Sequence, residues 1–182
     1  MIAKTLITAD ELLMMPRDGR RRELVRGELI DMSPTNYDHG MIAIRLASLL
    51  DSFARPRQLG HVLGTDSGFL LEKDPDTVRA PDVAFVRADR VPSPEERRRF
   101  PALAPDLVAE VVSPSDRSAE IESKVHDYLN AGVRLIWVLY PSTRTVTEYR
   151  SRDQIRVLTE TDHLDGQDVI PGFSVRVAEL FE

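Results

Sequence analysis

The chain is 182 residues long, contains no cysteine and carries a formal net charge of −6. That length suffices for a buried core in a single domain spanning 1–182, and the lack of cysteine excludes disulfides, thiolate metal sites and cysteine nucleophiles together. The acidity argues against indiscriminate phosphate binding, no apolar run is long enough to span a membrane, and the opening MIAKTLITADELLMMP lacks the apolar run of a secretory signal, so the cytoplasm is the expected compartment.

Taken in chain order, Thr8-Ala9-Asp10-Glu11-Leu12-Leu13 starts with a helix N-cap signature and Pro16 ends it. Residues 23–32 read as two short strands turning at Arg26-Gly27, and Ser33-Pro34 ends that hairpin. Ile42, Leu46, Leu49, Leu50 and Phe53 recur at spacings of three and four, which predicts an amphipathic helix over 38–54 with Asp38 as its cap. One or two strands are expected within 60–71, and another at 83–86, directly after Pro81-Asp82. The loop with Pro92, Pro94 and Pro101 follows; it carries the run Arg97-Arg98-Arg99. That run, like Arg20-Arg21-Arg22, reads as a solvated charged segment.

Residues 107–112 are almost continuously apolar, as expected of a central strand buried on both faces, and Ser113-Pro114-Ser115 breaks them. A helix is predicted over 118–130, with Ile121, Val125, Tyr128 and Leu129 on one face and Ala131-Gly132 closing it. Residues 135–139 form a second buried strand, 144–149 and 154–158 a hairpin. A segment around Phe173-Ser174-Val175 leads to 178–181. This order predicts an α/β (α+β) fold: a mixed sheet with helices packed on it.

Glu110 is the anomaly in this pattern. It lies inside an apolar strand, on the same face as Val108 and Val112, where an ionised carboxylate is costly unless it is paired or bound to metal. Asp82 precedes another strand. If the two strands are neighbours, both carboxylates meet at one edge of the sheet and offer hard oxygen ligands for Mg²⁺ or Mn²⁺. Lys124, on the next helix, sits four residues before Tyr128 at the flank of the buried face, from where its ammonium can reach the carboxylates. Each residue also has a plainer reading. Asp82 can terminate a strand, Glu110 can pair with a buried arginine, and Lys124 can pair with Glu120 on the surface. Composition bears on the last. Of 24 basic residues only Lys4, Lys73 and Lys124 are lysines, and a surface pair would tolerate the arginine used elsewhere, whereas a compact ammonium with a movable pKa has no guanidinium substitute.

Several stretches together carry a family resemblance: Glu23-Leu24-Val25-Arg26-Gly27-Glu28-Leu29, Met32-Ser33-Pro34, His39 at a helix start, Arg79-Ala80-Pro81-Asp82-Val83-Ala84-Phe85-Val86, Pro105-Asp106-Leu107-Val108-Ala109-Glu110-Val111-Val112-Ser113-Pro114-Ser115, then Lys124, Tyr128, Ala131-Gly132-Val133 and Trp137-Val138. The chain resembles, over nearly its whole length, the Uma-type family of restriction endonucleases within the PD-(D/E)xK nuclease superfamily. The resemblance implies a restriction-endonuclease-like core: a mixed central four-stranded sheet flanked by helices, with an N-terminal hairpin and extra C-terminal strands. It also implies a Mg²⁺- or Mn²⁺-dependent endonuclease acting on nucleic acid, DNA above RNA, and a homodimer. By motif, Pro81-Asp82 matches the PD element and Glu110-Val111-Val112 the (D/E)xK element, with Val112 in the lysine position. Lys124 resembles the relocated lysine of some members. Asp82, Glu110 and the Val111 carbonyl would ligate metal, His39 could join as base or ligand, and a further acidic ligand would be Glu28, Glu23 or Asp38. His61, His126 and His163 form no ligand spacing. Two rival readings stand beside this one: a non-catalytic nucleic-acid-binding or dimeric interaction protein that keeps the fold, and a structural protein in which Asp82, Glu110 and Lys124 form a buried ion network.

Overall fold

The computed structural model describes residues 5–16 and 18–182. Helix α1 (Ala9–Met14) starts at Thr8, whose hydroxyl accepts from the Glu11 amide while the Glu11 carboxylate accepts from the Thr8 amide. Strands β1 (Arg21–Val25) and β2 (Glu28–Met32) pair antiparallel around Arg26 and Gly27, at φ 50° and 77°. Two successive positive φ values are what a two-residue hairpin turn requires, and glycine takes the second without strain. The long helix α2 (Tyr37–Ala54) is capped by Asn36, not by the expected Asp38. Asn36 has the extended backbone of a cap and its side chain accepts from the His39 amide at 3.0 Å, whereas Asp38 already lies in the first turn.

Strands β3 (Gly60–Gly64), β4 (Phe69–Glu72), β5 (Thr77–Arg79) and β6 (Val83–Arg87) follow. Two 3₁₀ turns, Ala88–Arg90 and Glu96–Arg98, occupy the proline-rich loop. Then come β7 (Leu107–Val111), helix α3 (Ser118–Ala131) and β8 (Leu135–Tyr140). Gly132 ends α3 in the left-handed conformation at φ 91°, the usual glycine role after a helix. The chain closes with β9 (Thr145–Tyr149), β10 (Ile155–Leu158), β11 (His163–Asp165), β12 (Ser174–Arg176) and the short helix α4 (Val177–Leu180).

Among the described residues the main sheet has six strands in the order β10-β9-β8-β7-β6-β3. It is mixed: β7 and β8 are parallel and their neighbours antiparallel. The expected core of four strands is present, and the β9–β10 hairpin extends it by two, because β9 pairs directly with β8. Alternation sorts β7 and β8 between two helices. Leu107, Ala109, Val111, Trp137 and Leu139 face the cluster built by Ile42, Leu46 and Leu50 of α2. Val108, Ile136 and Val138 face Ile121, Val125 and Tyr128 of α3. Both strands are therefore buried on both faces, which is why they read as apolar runs. A second sheet, β2-β1-β5-β4, packs Leu24 and Val78 against Ala9 and Leu12 of α1. Strands β5 and β11, three residues each, are too short to leave a periodic signal and exist through their pairing partners.

Candidate active site

Register brings the two carboxylates together. In the antiparallel β6–β7 pair, Val83 stands opposite Ala109, so Asp82, one step before, and Glu110, one step after, reach the same end of the pair on the same face. The Val111 amide locks this end by donating to Asp82 Oδ2 at 2.8 Å. His39 enters from the first turn of α2, its Nε2 3.0 Å from the same oxygen. His39 is itself buried and its Nδ1 has no protein partner.

Glu110 points toward α3. Its Oε2 accepts from Lys124 Nζ at 2.8 Å and its Oε1 from the Tyr128 hydroxyl at 2.5 Å. These donors are four residues apart and so lie on one helical face. Lys124 Nζ is also 3.8 Å from Glu23 Oε1. Glu23, buried on β1, accepts from Arg79 Nη1 at 2.7 Å and from the Ala80 amide at 3.0 Å. Arg79 in turn donates to Asp127 Oδ2 of α3 through Nε at 2.8 Å and Nη2 at 2.6 Å. One guanidinium thus ties β1 to α3 across the site.

Four carboxylates (Glu23, Asp82, Glu110, Asp127) face two cations (Arg79, Lys124). With all ionised, two negative charges are in excess. The imbalance shows in the titration of the group. Burial pushes the Glu110 carboxyl up to about 7; Lys124 opposes the shift, and Asp82 and Glu23 add to it. Burial alone would lower the Lys124 ammonium, but Glu110 and Glu23 outweigh it and hold the lysine above its ordinary range. Burial, with Glu110 next, raises the Tyr128 hydroxyl well above the usual phenol value.

A cleft of about 610 Å³ opens onto these groups, walled by the β1–β2 hairpin on one side and the start of α3 on the other. Arg21, Met32, Arg117 and Ile121 line it beside Glu23, His39, Asp82, Glu110, Val111 and Lys124. No cluster of three or more His, Asp and Glu side chains in metal-holding geometry exists among the described residues. Two carboxylates, a backbone carbonyl and water nevertheless make a shell suited to a hard divalent cation, and such an ion would balance the two excess charges. By donor chemistry and charge, the residues fit Mg²⁺ or Mn²⁺.

The structure brings Asp82, Glu110, Lys124 and His39 into one constellation, with Val111 on the cleft wall. Of the three acids offered for the additional position, Glu23 alone is buried and lines the cleft. Glu28 is exposed at the turn end of the hairpin, opposite Val25, and is not among the residues lining the cleft; Asp38 is exposed in the first turn of α2. The surface pairing of Lys124 with Glu120 is replaced by burial against Glu110, and the buried partner of Glu110 is a lysine rather than an arginine. Three participants escape the sequence reading: Tyr128, which the helical pattern assigns to an apolar face, and Arg79 with Asp127. Their signals are the four-residue step from Lys124 to Tyr128 and the position of Arg79 just before Ala80-Pro81-Asp82. His61, His126 and His163 are exposed, as is Lys73, and Lys4 lies outside the described residues.

A family model described as "Uma2: Putative restriction endonuclease" matches residues 9–178. The chain belongs to this family. Among solved structures, this Uma2 member is similar to a crystal structure of a putative nuclease belonging to DUF820 from Anabaena variabilis. The two are 21% identical, superpose with a TM-score of 0.82, and the match covers 96% of this chain and 97% of that one. They share the fold, a mixed sheet flanked by helices. No curated protein matches this Uma2 member. No helix among its described residues is long and apolar enough to cross a membrane.

Proposed function

We propose that this Uma2-family protein is a Mg²⁺- or Mn²⁺-dependent endonuclease that hydrolyses phosphodiester bonds, DNA before RNA, with a PD-(D/E)xK-type site whose lysine has moved to α3. The observation that carries the reading is the Lys124–Glu110 contact at 2.8 Å at the floor of a cleft that also holds Asp82. A structural ion network needs no such opening, and replacing a buried ionic cluster with apolar residues is often neutral or stabilising.

Asp82, Glu110 and the Val111 carbonyl would hold the cation, with Glu23 supplying negative charge behind Lys124. When bound, the ion lowers the pKa of an attacking water and neutralises developing charge. The chain's own groups do the rest. Glu110 and Glu23 hold the Lys124 ammonium above the ordinary lysine range. As a cation it would orient water and stabilise the negative charge that develops on the phosphate oxygens. Tyr128 and Lys124 fix both oxygens of Glu110, and the Val111 amide and His39 orient Asp82. Arg79 holds Glu23 against α3. One chain offers one such site and cuts one strand, and a homodimer supplies two. The cytoplasm is the compartment in which this reading places the activity.

The test is cleavage of plasmid and oligonucleotides by purified protein in Mg²⁺ or Mn²⁺, beside Glu110→Ala. The wild type should cut, and the variant should lose about 10²–10³-fold or more, as when a preorganised charge-stabilising group is removed. Equal activity of the two would refute the assignment. Carboxylate-independent metal titration together with no cleavage would favour the rival reading, a nucleic-acid-binding relative that has lost catalysis.

A further inference from the structure

A second groove, of about 530 Å³, adjoins the catalytic cleft and shares Arg21, Glu23 and Met32 with it. Arg20, Arg21 and Arg22 line this groove together with Leu12, Met15 and Phe100. Phe100 is half-buried over Gly68, where an added Cβ would come within 2.6 Å of the ring. The exposed run Arg97-Arg98-Arg99 immediately precedes Phe100 in the chain, and Arg99 is 3.9 Å from Asp10 of α1. The first arginine run thus lines a groove that continues from the site, and the second leads in the chain to Phe100 on its wall.

We propose that this groove binds a single strand of nucleic acid next to the phosphodiester held in the cleft, with the arginines on its backbone and Phe100 and the apolar wall on its bases. The proposal rests on the nuclease reading for the role of the adjoining cleft. Two features favour a single strand over a duplex in the groove. A duplex presents phosphates outward and keeps its base faces stacked, so an apolar and aromatic wall gains nothing from it. Unpaired bases, in contrast, stack on aromatic side chains while arginines track their backbone. Arg20 and Arg22 now contact Asp18 and Asp31, and Arg21 contacts Asp66. Those carboxylates are largely exposed, and pairs of this kind are weak enough to exchange for phosphates.

Binding is read without metal, by fluorescence anisotropy in EDTA. The probes are labelled 12-nucleotide deoxy- and ribo-oligomers and a duplex hairpin of the same composition. The single strand should bind at least about ten-fold tighter than the hairpin, and any preference between the two oligomers names the sugar. Arg97→Ala/Arg98→Ala/Arg99→Ala should weaken binding about ten-fold and flatten the slope of log K against log salt by about 2, near 0.7 for each single-strand phosphate no longer neutralised. Phe100→Leu, which keeps apolar bulk, should cost at least about five-fold, the lower end of one base stack, with the slope unchanged. No binding of any oligomer, equal or tighter binding of the hairpin, or a triple variant with wild-type affinity and slope would overturn the proposal. A protein that binds single strands and cuts nothing would retain this groove and end the nuclease reading; one that cuts plasmid and ignores single strands would do the reverse.

Discussion

Glu110 of β7 and Glu148 of β9 are both 2% exposed, and they lie on opposite faces of the main sheet. Glu148 stands opposite Trp137 and accepts from its Nε1 at 3.3 Å and from Gln167 Nε2 at 2.8 Å; Arg156 stands 3.8 Å away. It lines neither the cleft nor the groove. Glu110 is held by a lysine and a tyrosine, has Asp82 and Glu23 close enough to raise its pKa, and opens onto the cleft. Burial of a carboxylate therefore does not by itself mark a site. Glu148 is satisfied by two neutral donors and one cation, away from both the cleft and the groove. Glu110 lies where negative charge exceeds positive and solvent has access.

Paired substitutions should break this comparison most visibly. Glu110→Gln should lower cleavage about 10²–10³-fold, while Glu148→Gln, which preserves shape and an acceptor for Trp137, should keep it within about three-fold, because Glu148 touches no part of the cleft. Comparable losses in single-turnover cleavage would erase the distinction. Lys124→Arg comes next, with an expected loss of about 10²-fold and an intact fold by circular dichroism, because a planar guanidinium cannot replace the compact ammonium between Glu110 and Glu23. Wild-type rates for this variant would reduce Lys124 to a generic cation.

Stability effects are smaller. Tyr128→Phe leaves one buried oxygen of Glu110 without its donor and should destabilise the protein by about 1–3 kcal/mol in urea denaturation. A change within experimental error would show that the hydroxyl contact contributes nothing.

A further stability effect is on pH dependence. The folded-state pKa of Glu110 is raised from 4.5 to about 7, so between these values the folded protein binds more protons than the unfolded chain. Stability contributed by protonated Glu110 is present below pH 4.5 and is lost as pH rises through about 7. In chelator, the midpoint temperature of the wild type should therefore fall across this window more steeply than that of Glu110→Gln. Parallel curves for the two proteins would contradict a raised Glu110.

Much of the architecture is readable in the sequence because periodicity reports burial directly. The apolar run at 107–111 requires a strand covered on both faces, and the spacing from Ile42 to Phe53 requires an amphipathic helix. Glu110 and Asp82 are conspicuous as acids in and beside such runs, and Lys124 stands out among 21 arginines and three lysines. The acid behind Lys124 is less accessible. Glu23, opposite Ile30, and Glu28, opposite Val25, fall on the same face of one hairpin, and only the packing of Arg79, Ala80 and Lys124 against Glu23 separates buried from exposed.

Residue order alone thus determined the longer elements, the mixed α/β character and the three chemically anomalous residues, because burial and helix or strand period are written locally. Tertiary structure alone decided that the Val83–Ala109 register sets Asp82 beside Glu110, that Arg79 bridges Glu23 to Asp127, and that Arg20, Arg21 and Arg22 share a groove with the distant Phe100. Those are relations between elements, set by strand pairing and helix packing, and no local pattern encodes the distance between two segments that meet only in the folded chain.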